Sequence, residues 1–229
     1  MRLKIAAVLV IGAAFVLIPS AKADTFNFNS CSHITAGTPT FPLTTCPGDT
    51  DDKSLTYTVG SNSIVAKGFN STTNLATDLY VKNDSDPTER GLGITNEGEH
   101  EISSAYYINL DFSNLFAHGI TSGTLVLGSL QAGERFRVCQ GSSAGTGAPD
   151  GPSCGVTGTE SGSTGLQSIA LSWTGSTNDV FFITSKNSDS GNVLIESFTT
   201  ASTVPEPGSL ALLSSGLLGL AGLLRRKLV

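Results

Sequence analysis

The chain has 229 residues, of which 39% are hydrophobic and only 14% charged, with a formal net charge of −6 at pH 7. That average hides an asymmetry, because six cations (Arg2, Lys4, Lys22, Arg225, Arg226 and Lys227) sit at the two ends and leave residues 24–204 with 7 basic and 18 acidic side chains, a net −11. A body this acidic repels a phosphate backbone and argues against nucleic acid as a partner.

Residues 1–23 read as a signal peptide. Arg2 and Lys4 make a positive start, Ile5–Ile18 is an unbroken apolar run, and Pro19 ends it ahead of Ala21-Lys22-Ala23. Fourteen apolar residues fall short of the roughly 20 that a membrane span needs. Small residues at Ala21 and Ala23 fit the pockets of a signal peptidase, so Asp24 is expected to become the first residue of the exported protein.

Residues 24–203 are expected to form one extracellular domain. Gly, Ser, Thr, Asn and Asp are plentiful there while Lys and Arg are scarce, a composition typical of soluble extracellular β-proteins. Cys31 and Cys46 lie 15 positions apart, as do Cys139 and Cys154, each pair bracketing a segment rich in Gly, Pro, Ser and Thr. Export brings the four into an oxidising compartment. Three pairings are possible, and closure of the two short flexible loops favours Cys31–Cys46 and Cys139–Cys154. Zinc ligation is disfavoured by the lack of a Cys-x-x-Cys pair.

Period-2 alternation predicts strands along the body. Leu55, Tyr57 and Val59 form one apolar row. Tyr106, Ile108, Leu110 and Phe112 form a second, and Ile169, Leu171 and Trp173 a third. Further strands are expected at 64–69, 77–83, 123–130, 135–140, 179–185 and 192–199. About nine short strands broken by turn-forming segments, with no amphipathic helix of ordinary length, predict an all-β fold: a single β-sandwich or jelly roll.

Candidate chemistry in the body is sparse. Asp84, Asp86 and Glu89 are followed by Glu97, Glu99 and Glu101, oxygen donors on turns of the kind Ca²⁺ takes. Solvated acidic turns are the commoner outcome, and no EF-hand spacing is present. Glu99 and Glu101 are the carboxylate pair closest to what glycoside hydrolysis needs. Tyr80 and Tyr107 fall on the outward phase of their strands, where tyrosines can stack on sugars. His33, His100 and His118 have no partner at metal or triad spacing. Gly141-Ser142-Ser143-Ala144-Gly145 matches Gly-x-Ser-x-Gly but sits in a loop of an all-β chain, without the strand-to-helix turn that motif requires. No catalytic constellation emerges, so the body is expected not to be an enzyme.

Residues 204–229 change character again. Pro205-Glu206-Pro207 precedes Gly208–Leu224, a run without one charge, and then Arg225-Arg226-Lys227. As a helix the run rises about 25 Å, at the lower limit for crossing a bilayer. The cations favour the cytoplasmic side, which leaves the body outside. These three elements in this order resemble the PEP-CTERM sorting domain. The resemblance implies processing by exosortase, a membrane-embedded protease, with Pro205, Glu206 and Pro207 as the recognition motif and Arg225, Arg226 and Lys227 as the stop-transfer cluster. It implies a transient inner-membrane anchor, then a cell-surface or extracellular location. Gly91-Leu92-Gly93-Ile94 through Glu101-Ile102 is similar to a stretch found in sorted cargo proteins of jelly-roll-like fold.

Two functions are consistent with these signals. The favoured one is a non-catalytic surface or matrix protein associated with extracellular polysaccharide. The alternative is a secreted glycan-acting hydrolase that uses loop carboxylates.

Overall fold

Alternating side chains turn one face of each strand inward, and two such sheets bury their apolar faces against each other. The computed structural model describes residues 23–30, 34, 48–49, 52–131, 134–141, 156–159, 165–174, 179–185 and 193–201, all within a compact unit spanning Ala23–Ala201. The signal peptide up to Lys22, Cys31, His33, Cys46, Ser142–Cys154 and the whole sorting segment lie outside the described residues.

In chain order the strands are β1 Thr25–Asn27, β2 Gly48–Asp49, β3 Ser54–Val59, β4 Asn62–Asn70, β5 Ala76–Thr77, β6 Leu79–Asn83 and β7 Arg90–Ile94. They continue with β8 Tyr106–Asp111, β9 Ser122–Leu130, β10 Arg135–Gly141, β11 Val156–Thr159, β12 Gly165–Ser172, β13 Val180–Ser185 and β14 Leu194–Thr200. One sheet has the order β12-β9-β14-β7-β6-β2, with β1 also on β14. The other runs β11-β10-β13-β8-β4-β3, with β5 also on β4. Every pairing is antiparallel. The all-β sandwich expected from the alternation is the fold observed.

Between the sheets, Leu92, Leu125, Leu127 and Phe198 of the first meet Ile64, Ile108, Leu110 and Ile183 of the second in one buried cluster. Phe112 stacks on Phe198 with ring centroids 4.6 Å apart and lies 5.0 Å from Trp173. Burying each such ring contributes on the order of 2–3 kcal/mol. Leu55, Tyr57, Ile169, Leu171 and Trp173 all point into this core, as their alternation predicts.

The structure adds several short strands to the nine expected, because two to five residues carry too little pattern to read. It also divides the expected 77–83 strand. Thr77 pairs with Gly68 in one sheet and Leu79 with Ile94 in the other, so the chain crosses between sheets at Asp78. A five-residue helix, α1 Ser113–Ala117, buries Leu115 beside the core. The β3–β4 hairpin closes through Gly60-Ser61, where Gly60 takes φ +61, as a two-residue turn with glycine first requires.

Candidate functional site

The most chemically loaded place among the described residues lies on the outer face of the first sheet. Val81 and Leu92 face the core, so their neighbours Lys82 and Gly91, which pair in register, face away from it. Tyr80 and Gly93 form the next pair on that outer face. The glycines let two chain segments lie directly on the sheet backbone. A Cβ on Gly93 would stand 1.9 Å from the carbonyl oxygen of His100, and one on Gly128 would stand 2.9 Å from that of Thr88. Gly91, at φ +148, would meet the Ile195 carbonyl oxygen at 2.5 Å. No side chain larger than hydrogen fits such contacts without movement. The glycines of the Gly-Leu-Gly-Ile stretch thus form the floor of a niche.

Four side chains enter it. Lys82 comes from β6, Glu89 from the 3-10 turn Pro87–Glu89, and Glu101 from the residue before the isolated bridge Ile102↔Val193. Ser129 comes from β9, where two residues of that strand oppose one of β12 and Ser129 takes φ +58. A bulge of this kind re-aims a side chain that regular pairing would place elsewhere. Lys82 Nζ donates to Glu89 Oε2 at 3.0 Å and to Glu101 Oε1 at 2.5 Å. Ser129 Oγ lies 2.9 Å from Glu89 Oε2 and 2.8 Å from Glu101 Oε1. The Glu101 side chain is 6% exposed, that of Lys82 17% and that of Glu89 26%.

The electrostatics follow from this geometry. Burial disfavours charge on Glu101 and pushes its carboxyl above the usual range, despite hydrogen bonds from Lys82 and Ser129. Burial also pushes Glu89 up, but there the bonds from Lys82 and Ser129 outweigh it and hold the carboxylate below its ordinary value. Burial pulls Lys82 down, and its bonds to Glu101 and Glu89 more than reverse that. The single Ser129 hydroxyl proton can be donated to only one of the two carboxyls at a time. Burial makes Glu101 the more readily protonated of the two.

The neighbouring acids differ. Asp84 accepts from the Asp86 backbone N–H and the Ser85 hydroxyl, and Asp86 accepts from Thr88 N–H and Oγ at 2.8 Å each. Backbone hydrogen bonds hold both exposed carboxyls below the usual range. Glu97 takes the Ser103 hydroxyl, and Glu99 is exposed. Among the described residues no group of three or more His, Cys, Asp or Glu is placed to hold a metal ion. Glu99 and Glu101, paired in the sequence reading, are split between solvent and interior.

The two tyrosines expected to present open faces to sugars do not. Tyr107 is fully buried beyond the outer face of the second sheet, against Phe69 and Phe182, with Cys139 and Val180 in the same cluster. Its outward phase is real, but that face carries a second apolar cluster. Tyr80 is half-buried and covered by the His100 ring, with centroids 3.9 Å apart. His118 is exposed. Sequence reasoning missed Lys82 and Ser129 altogether. The one available hint was Ser129 as a polar residue at an inward phase between Leu127 and Leu130.

A second surface lies on the far side of the same sheet face. Across β12, β9, β14 and β1 the register aligns Ala170, Thr124, Thr199 and Thr25, with Ser168, Val126, Ser197 and Asn27 in the adjacent row. Neither row contains a charge, and Thr25 and Thr199 hydroxyls hydrogen-bond at 3.1 Å. A shallow depression of about 400 Å³, lined by Ser122, Thr124, Ser172 and Thr199 among others, lies at one end.

Residues 203–227 match the family model of the PEP-CTERM protein-sorting motif. The chain carries a PEP-CTERM sorting signal. It is therefore an exosortase-targeted exported protein, processed at the membrane on its way to the surface. No curated protein and no solved structure matches the chain. Among the described residues no helix is long and apolar enough to cross a membrane, and Gly208–Leu224 lies outside them.

Proposed function

We propose that the sorted body is a non-catalytic surface or matrix protein that associates with extracellular polysaccharide. The supporting observation is the two uncharged, hydroxyl-rich rows that run across β12-β9-β14-β1 on a body with net charge −11. A neutral polymer can lie along that face and exchange hydrogen bonds with its hydroxyls without meeting the acidic remainder. Residues 24–204 should co-sediment with extracellular polysaccharide from an exosortase-bearing host, and Thr124→Glu with Thr199→Glu should reduce the bound fraction several-fold. Wild-type protein that stays in the supernatant would refute this reading.

The hydrolase alternative draws support from Glu89 and Glu101, which share Lys82 and Ser129 and carry oppositely shifted carboxyls. Against it, Glu101 is buried and both carboxylates already have partners. Release of reducing ends from polysaccharide by wild type, lost in Glu101→Ala, would favour the hydrolase.

Processing at both ends fits the geometry of the body. Asp24 N–H donates to Thr200 Oγ at 2.9 Å, and Thr200 N–H donates to the Asp24 carbonyl at 2.9 Å. A signal peptidase cut before Asp24 converts that N–H donor to an ammonium that keeps the bond. The Cys139–Cys154 disulfide is supported by the β10–β11 register, which sets Val138 opposite Val156, two residues from Cys154. Cys31–Cys46 is proposed on loop closure alone.

A further inference from the structure

We propose that Lys82 and Glu101 condense into an intramolecular amide, making the niche a site of self-catalysed cross-linking. The inference rests on the niche geometry and is independent of any glycan reading. Lys82 Nζ stands 2.5 Å from Glu101 Oε1, so one C–O bond length places the Glu101 carboxyl carbon within about 3.7 Å of the nitrogen. Reacting atoms held at roughly 3–3.5 Å are at the threshold of attack. The pair is shielded from water, which otherwise keeps amine and acid apart as solvated ions.

The remaining two side chains supply what the step needs. Glu89 Oε2 contacts Lys82 Nζ at 3.0 Å, within reach of its proton. Ser129 Oγ contacts Glu101 Oε1 at 2.8 Å and donates to the oxygen on which charge develops. The ammonium of Lys82 passes a proton to the Glu89 carboxylate and becomes a neutral amine. Its lone pair attacks the carbonyl carbon of the protonated Glu101 carboxyl. As Glu89 returns the first proton to the departing hydroxyl it takes a second from the nitrogen, and it then releases that proton to solvent. Counted from the neutral amine, one N–C bond and one O–H bond form, one C–O and one N–H bond break, and one water departs. Overall, ammonium plus protonated carboxyl give amide, water and one proton released to solvent, so no oxidant, reductant or activated carrier is required. Glu89 ends as it began.

The bond would tie β6 to the segment that leads into β8. Buried opposite charges become a neutral amide, which removes the desolvation penalty of holding them there. In a protein destined for the cell exterior, a covalent staple protects the Gly-floored loops from local opening.

The test is the mass of the folded, purified exported protein after complete reduction and alkylation under denaturing conditions. Wild type should be lighter than its sequence by one water, about 18 Da. Proteolysis should yield a branched peptide containing both Lys82 and Glu101. Lys82→Arg should have the full sequence mass. Glu89→Gln, which leaves Lys82 and Glu101 in place, should form the bond at least tenfold more slowly while giving a wild-type circular dichroism spectrum. Folded wild type that keeps its full mass after prolonged incubation overturns the proposal. So does cleavage by trypsin after Lys82 in the denatured protein. A Glu89→Gln variant that cross-links at the wild-type rate overturns the role given to Glu89.

Discussion

Two sets of carboxylates from one stretch of chain meet opposite fates. Asp84 and Asp86 stand in solvent and cap their own turn, and hydrogen bonds from that turn draw their carboxyls below the ordinary range. Glu101, buried beneath the same turn, is pushed above it and shares Lys82 and Ser129 with Glu89. The difference teaches that an acidic run has no common chemistry. A carboxylate within reach of its own backbone is stabilised locally, whereas one carried into the interior needs a cation from elsewhere in the chain.

The sharpest way to break the comparison is to remove that cation. Lys82→Ala leaves Glu89 and Glu101 with no buried counter-charge and should destabilise the fold by about 3–5 kcal/mol at pH 7, measured by urea unfolding. Without the lysine, burial raises both carboxyls in the folded state. Stability linked to their protonation is then present below the unfolded value near 4.3 and lost as pH rises. The penalty should therefore be smaller at pH 4 than at pH 7. A penalty independent of pH would show that the two acids are not the cause.

Next comes the floor. Gly93→Ala places a methyl 1.9 Å from the His100 carbonyl oxygen and should lower stability by about 3 kcal/mol. Gly98→Ala, whose Cβ meets nothing within 4 Å, is the control and should change far less. Equal effects would remove the close contact as the reason for glycine at 93.

Asp179 sharpens the rule with a smaller effect of opposite sign. It is 1% exposed, neither carboxylate oxygen has a hydrogen-bond partner among the described residues, and burial pushes its carboxyl up. Asp179→Asn should stabilise the protein at pH 7 by about 1–2 kcal/mol. The raised carboxyl favours the fold at low pH and loses that advantage as pH rises, so the gain should shrink near pH 4. A destabilised variant at pH 7 would mean the charge is balanced by a partner.

The smallest effect belongs to the exposed turn. Asp86→Ala removes the side chain that accepts from Thr88 N–H and should lower the melting temperature slightly at pH 7. Its depressed carboxyl contributes stability above the unfolded value near 3.9, lost as pH falls through the folded value. Wild type and variant should therefore melt together at strongly acidic pH. A difference that persists there would show that the effect does not depend on the carboxylate's charge.

The sequence by itself determined the address and the class of fold. Pro205-Glu206-Pro207, the uncharged run after it and Arg225-Arg226-Lys227 are contiguous, so the sorting signal is legible without any folding. Strands such as Leu55–Val59 and Ile169–Trp173 were legible because alternation is a local pattern and both sheets bury one face. Tertiary structure decided what each face meets. Tyr107 has the outward phase, yet a second apolar cluster on that face buries it. Strands of two or three residues exist only because a neighbour pairs with them. The niche is the clearest case, since Lys82, Glu89, Glu101 and Ser129 are separated by up to 47 positions and no periodicity joins them. They converge because glycines let two loops lie on a sheet and a bulge turns Ser129 away from the core into the niche. Long-range contact is a property of the folded chain, and the chemistry of a buried charge is set by what it contacts there.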